Sequence, residues 1–133
     1  MTDGRAPSTR PRRVLVVEDS LDSAEILGEL LRRWGHEVRL AHDGKAALEE
    51  ARAFRPEVVL LDIGLPDIDG YAVAQRLRAE GLSGELLVAL TGYGPDEDRE
   101  RARQAGFDRH LVKPVEPNAL LDLFREASAP GAA

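Results

Sequence analysis

The sequence predicts an α/β protein with a doubly wound parallel sheet of five strands and five helices. Two observations carry this. Short apolar runs alternate with amphipathic helical segments along the chain, and four of those runs end on a chemically capable side chain. The runs are Val14–Val17 before Glu18-Asp19, Val58–Leu61 before Asp62, Leu87–Leu90 before Thr91, and His110–Val112 before Lys113-Pro114. Continuous apolar runs suit strands buried on both faces, and strands alternating with helices imply right-handed parallel crossovers.

Each element has its own local reason. After the first strand, Ser20 can cap a helix whose Ala24, Leu27, Leu30, Leu31 and Trp34 recur every three or four residues, and Gly35 ends it. Glu37–Ala41 alternates like an edge strand, with Val38 and Leu40 on one face. Asp43-Gly44 opens the second helix, with a stripe of Ala47, Leu48, Ala51 and Phe54 that stops before Pro56. Val58–Leu61 is the third strand. A loop through Pro66 and Asp69-Gly70 leads into a third helix over 71–79, with Val73, Ala74 and Leu77 inward. Gly81 and Gly84 break the chain before a fourth strand over 86–90. Pro95 and the acids Asp96, Glu97 and Asp98 suit the positive end of a fourth helix, which Gly106 ends. His110–Val112 is the fifth strand. The last helix runs over 119–127, with Leu120, Leu123 and Phe124 buried.

The length suits one domain, predicted over 13–127, between a basic arm at 1–12 and a frayed tail at 128–133. The net charge of −6 is uneven: residues 1–13 carry +3 and the remainder −9. Pro, Ser, Thr and Gly make the arm read as disordered, and the acidic body disfavours direct binding to nucleic acid. Without cysteine there is neither a disulfide nor a thiolate metal site. No apolar stretch approaches a membrane span and residues 1–13 lack a signal-peptide core, so the expected location is the cytoplasm.

Ligands of doubly wound sheets bind beyond the carboxyl ends of the strands, where strand order reverses. With strand one beside strand three, Glu18, Asp19 and Asp62 flank that crevice. Three carboxylates repel one another, and a hard cation relieves this. Mg²⁺ fits an all-oxygen donor set, whereas zinc wants histidine or cysteine. A cation, a lysine (Lys113, one of only two in the chain) and a threonine hydroxyl (Thr91) are what a transferring phosphoryl group requires. Asp62, the acid of the central strand, is the candidate nucleophile. Each residue also has a plainer reading: Glu18-Asp19 as a helix cap, Asp62 as a turn residue, Thr91 as a strand former, Lys113 as solvated surface, and His110, Tyr71 and Tyr93 as packing or surface. The joint placement at strand ends favours the site.

This set resembles the receiver domain of bacterial response regulators (CheY-like). The resemblance rests on Val-Val-Glu-Asp at 16–19, Leu-Leu-Asp-Ile-Gly-Leu-Pro at 60–66, Ala-Leu-Thr-Gly at 89–92 and Leu-Val-Lys-Pro at 111–114. It implies the flavodoxin-like strand order 2-1-3-4-5. It also implies phosphoryl transfer from a sensor histidine kinase or histidine phosphotransfer protein onto Asp62. Asp19, Asp62 and the Gly64 carbonyl would hold Mg²⁺, with Glu18 acting through a metal-bound water. Lys113 would pair with the acyl phosphate, and its peptide bond to Pro114 would be cis. Thr91 would swing toward the phosphoryl group and release residue 110 inward.

That residue is commonly Tyr or Phe in the family and is His110 here, which opens the switch to pH. The residues tuning dephosphorylation are Gly64 and Tyr93, neither with a carboxylate or amide, so the resemblance implies slow loss of phosphate. The chain is thus expected to be no turnover enzyme: it promotes only its own phosphorylation and slow autodephosphorylation. Because the chain ends soon after the fifth helix, output is expected through a downstream protein at the fourth helix, fifth strand and fifth helix. The segment Thr91-Gly92-Tyr93-Gly94 resembles receivers of hybrid kinases, so a relay is as admissible as a protein-binding switch. Two other classes compete. A degenerate receiver serving as a constitutive scaffold would not take up phosphate. A haloacid-dehalogenase-like phosphohydrolase would want an aspartate at position 64, where this chain has Gly64.

Overall fold

The computed structural model describes residues 10–92 and 96–128. Its elements are β1 (Arg13–Val17), α1 (Leu21–Arg33), β2 (Glu37–Ala41), α2 (Gly44–Phe54), β3 (Val58–Asp62), α3 (Gly70–Ala79), β4 (Leu86–Thr91), α4 (Asp96–Gln104), β5 (Arg109–Val112) and α5 (Pro117–Ser128). All five strands are parallel, in the order β2-β1-β3-β4-β5. The doubly wound five-stranded sheet with five helices is therefore as predicted.

Period-two alternation divides the core into two layers. Leu15, Val17, Val59, Leu61, Leu87 and Ala89 face Ala47, Leu48 and Ala51 of α2 and Val73, Ala74 and Leu77 of α3. Val14, Val16, Val58, Leu60, Val88 and Leu90 face Leu27 and Leu31 of α1 and Leu120, Leu123 and Phe124 of α5. β1, β3 and β4 have helices on both faces, which is why they read as unbroken apolar runs. β5 differs. It pairs only with β4, and Val112 is exposed, so the fifth run is an edge strand rather than a buried one.

The local signals act as the sequence indicates. Ser20 Oγ accepts from Ser23 N–H, Asp43 Oδ1 from Ala46 N–H and Asp69 Oδ1 from Tyr71 N–H, capping α1, α2 and α3. α2 stops at Arg55, whose φ of 53° is left-handed, just before Pro56. Boundaries move slightly: β3 and β4 each run one residue further, to Asp62 and Thr91, and α5 starts two residues earlier, at Pro117.

The basic arm needs a correction at its carboxyl end. Arg12 is 3% exposed. Its Nε donates to Glu85 Oε1 at 3.1 Å and its N–H to His36 Nδ1 at 3.1 Å, while Arg10 reaches Glu57 and Glu85. Local composition reads this segment as a solvated tail because its partners lie far along the chain. The rest of the predicted arm and the tail beyond Ser128 lie outside the described residues. Among the described residues no helix is long and apolar enough to cross a membrane.

Candidate phosphoacceptor site

The carboxyl ends of β1, β3, β4 and β5 converge on a cavity of about 370 Å³ lined by Asp19, Asp62, Ile63, Gly64, Tyr71, Leu90, Thr91, Gly92 and Lys113. Glu18 lies directly beneath: oxygens of Glu18, Asp19 and Asp62 all lie within 4.8 Å of one another. Parallel pairing of Val17 with Leu61 and of Asp62 with Leu90 brings these strand ends level. The three acids singled out from the sequence therefore meet in one crevice.

Lys113 closes the cluster from β5. Its Nζ lies 3.0 Å from Asp62 Oδ2 and 3.2 Å from Glu18 Oε1. Lys113 N–H donates to the Thr91 carbonyl at 2.6 Å, and the Lys113–Pro114 bond is cis. On the opposite side, Gly64 N–H donates to Asp62 Oδ1 at 2.9 Å.

Burial and crowding split the acids. Burial, then the hydrogen bond and charge of Asp62, push the Glu18 carboxyl up to about 7 despite the ammonium of Lys113. Burial alone would raise Asp62 as well. Hydrogen bonding with Glu18, with Gly64 N–H and with Lys113 outweighs it and leaves Asp62 below its ordinary value. Burial works against the Lys113 ammonium, but the bonds to Asp62 and Glu18 raise it. Asp62 is thus ionised, nearly buried and reached by a cation, as an acid poised to attack an electrophile must be. The oxygen-only cluster suits a hard divalent cation and offers nothing to a soft one.

Thr91 is 8% exposed, and its Oγ1 is buried without a hydrogen-bond partner among the described residues. A hydroxyl in that position is costly unless something else binds it. His110 is not brought to this cavity: it lines a separate one of about 200 Å³ with Ala102, Phe107 and Asp108, between α4 and β5. Tyr93 lies outside the described residues. Sequence reasoning set Tyr71 aside as packing or surface. It lines the crevice, and its ring lies under Arg101 of α4, with the guanidinium carbon 4.1 Å from the ring centroid. Asp67, in the turn beyond Asp62, binds the start of α2.

Comparison with known proteins gives these positions a context. Residues 14–125 match the family model described as the response regulator receiver domain. An uncharacterized 14.6 kDa protein of Leptolyngbya boryana is 36% identical over 115 residues, covering 85% of this chain and 87% of that one. The chain spans about half the length of other curated relatives it matches, among them the DNA-binding response regulator MtrA of Mycobacterium bovis, 37% identical over 117 residues. Among solved structures, the chemotaxis protein CheY4 of Vibrio cholerae superposes with a TM-score of 0.83 at 27% identity, covering 89% of this chain and 99% of that one. The receiver domain of the sensor histidine kinase PA1611 of Pseudomonas aeruginosa superposes with a TM-score of 0.77 at 29% identity, over 90% of this chain and 98% of that one. That protein holds a magnesium ion in its active-site cleft.

Proposed function

The chain belongs to the response regulator receiver family, and from that premise we propose that Asp62 accepts a phosphoryl group from a histidine kinase or histidine phosphotransfer protein. The observation carrying this is Asp62 set among the acids at the strand ends, with Lys113 Nζ 3.0 Å away. Asp62 Oδ attacks the phosphorus as the phosphohistidine nitrogen leaves, so the P–N bond breaks as the P–O bond forms. Lys113 neutralises charge on the transferred group. Thr91 Oγ1, without a partner among the described residues, supplies a hydroxyl to its oxygens.

Glu18, Asp19, Asp62 and the Gly64 carbonyl would hold Mg²⁺, which when bound neutralises charge on the phosphoryl oxygens. Burial and the neighbouring Asp62 raise the Glu18 carboxyl toward neutral pH, and a cation among these oxygens would favour its charged form. The domain proper covers 13–127, and the protein works in the cytoplasm as a relay intermediate or protein-binding switch. A downstream protein reads α4, β5 and α5. It performs no turnover, and with Gly64 offering no side chain to orient a hydrolytic water it loses phosphate slowly.

Phosphotransfer profiling against a panel of histidine kinases tests this. A cognate kinase should label the protein within seconds to minutes and leave Asp62→Asn unlabelled. Failure of every kinase and of acetyl phosphate, with Mg²⁺ present, would support the scaffold reading instead.

A further inference from the structure

The β3–α3 loop, from Ile63 to Asp69, carries the Gly64 carbonyl. Its ends are fastened locally: Ile63 N–H donates to the Leu90 carbonyl at 3.1 Å, and Gly70 N–H to the Ile63 carbonyl at 3.0 Å. The middle is held differently. Asp67, exposed on the surface, accepts from Gly44 N–H at 2.7 Å on Oδ1 and from Lys45 N–H at 3.1 Å on Oδ2. These are the first two donors of α2, a helix already capped by Asp43, whose side chain takes Ala46 N–H and whose carbonyl takes Ala47 N–H. Gly44 is buried and Lys45 beside it is exposed, so of these two donors only the second could turn readily to water. Leu65 and Ile68 of the loop also pack against the core.

The contact is packed as well as bonded. A Cβ added at Gly44 would lie 3.0 Å from Ile68 Cβ, 3.0 Å from Val73 Cγ2 and 3.3 Å from Asp67 Oδ1. The same corner also holds the other acidic loop. Glu18 N–H donates to the Ala41 carbonyl at 3.0 Å, and His42 Nδ1 lies 3.1 Å from the Glu18 carbonyl. Residues 41–45 therefore tie the segment bearing Glu18 and Asp19 to the loop bearing Gly64. The N–H of Gly44 is the main cause holding the Asp67 carboxyl below its ordinary value, so the strap stays charged through neutral pH.

We infer that Asp67 is a positioning residue for the cation site: through the first two N–H groups of α2 it sets the spacing between the two oxygen-bearing loops. This rests on the reading of that crevice as a Mg²⁺ site. Mg²⁺ demands near-ideal geometry, so a loop freed at its middle should bind it less well although no ligand has been removed.

The test is calorimetric titration of Mg²⁺ into the wild type, Asp67→Ala and Asp67→Asn, each first shown to melt cooperatively. Asp67→Ala should weaken Mg²⁺ about tenfold, the lower end of what outer partners of a metal site contribute. Asp67→Asn keeps an oxygen for the shorter bond, from Gly44 N–H, but loses the charge and the acceptor for Lys45 N–H, and should weaken Mg²⁺ by no more than about threefold. Wild-type affinity in Asp67→Ala overturns the inference. So does equal weakening in both variants, which would make the effect one of charge. Absence of saturable Mg²⁺ binding by the wild type overturns the parent reading itself, and this one with it.

Discussion

Lys113 and Asp62 form an ion pair of 3.0 Å at the base of the crevice, and the same ammonium reaches Glu18 at 3.2 Å. A side-chain cation there competes with a metal cation for the same oxygens. Replacing it with an uncharged chain of similar length, Lys113→Met, should therefore move two properties in opposite directions. Mg²⁺ should bind about 3- to 10-fold more tightly. Phosphorylation from acetyl phosphate should slow by tenfold or more, because the counter-charge to the transferred group is gone. Calorimetry and a rate measured at saturating Mg²⁺ check both; a parallel fall in the two would contradict the assignment.

Two buried groups titrate in opposition. Glu18 is raised to about 7, above its unfolded value, so its contribution is full below about pH 4.5 and is lost as pH rises through 7. His36 is lowered to about 4, chiefly by burial and then by Arg12, so its contribution is present above about pH 6.5 and is lost as pH falls through 4. Each is worth on the order of 3 kcal/mol. In chelator, wild-type stability between about pH 4.5 and 6.5, where the two windows overlap, should therefore be nearly flat. Glu18→Gln should expose the rise with pH due to His36. His36→Asn, whose Oδ1 can replace Nδ1 as acceptor for Arg12 N–H, should expose the fall due to Glu18. Denaturant melts across that range decide it.

Thr91 separates stability from function. Its Oγ1 is buried and unpaired among the described residues, so Thr91→Val removes an unsatisfied hydroxyl without changing the shape. Stability should hold or rise by about 1 kcal/mol, while the phosphorylation rate falls. Loss of stability in this variant would show that the hydroxyl already has a structural partner.

Gly64 in the β3–α3 loop and Gly70 at the start of α3 should behave differently. A Cβ at Gly70 would stand 2.6 Å from Ile63 Cα and 2.9 Å from the Asp62 carbonyl, so the start of α3 fits against the acceptor strand only without a side chain. Gly70→Ala should cost about 2–4 kcal/mol. A Cβ at Gly64 would have only Asp62 Oδ1 nearby, at 3.7 Å. Gly64→Ala should stay within about 0.5 kcal/mol of wild type. Thermal melts compare them.

The parts of the molecule that were legible in the sequence are those with local causes. Ser20, Asp43 and Pro56 mark helix ends by chemistry within a few residues, and the inner strands announce themselves because both faces are covered. Asp19, Asp62, Thr91 and Lys113 were visible because parallel strands deliver their ends to one edge. What escaped depends on distant partners. Arg10 meets Glu57 and Glu85 across 47 and 75 residues, and nothing near it distinguishes it from tail. Asp67 has the look of a turn residue until α2 is placed beside it, 23 residues away in sequence. So short a run as β5 also does not reveal that His110 pairs with Ala89, below the strand ends, and lines a cavity beside α4.

The central claim is that Asp62 is the phosphoryl acceptor. Its most direct test is intact-mass measurement of the wild type and Asp62→Asn after incubation with Mg²⁺ and acetyl phosphate, with the modified peptide then located. The wild type should gain the mass of one phosphoryl group, on the peptide containing Asp62, and Asp62→Asn should gain none. Equal phosphorylation of Asp62→Asn, or a modified peptide elsewhere, would contradict it.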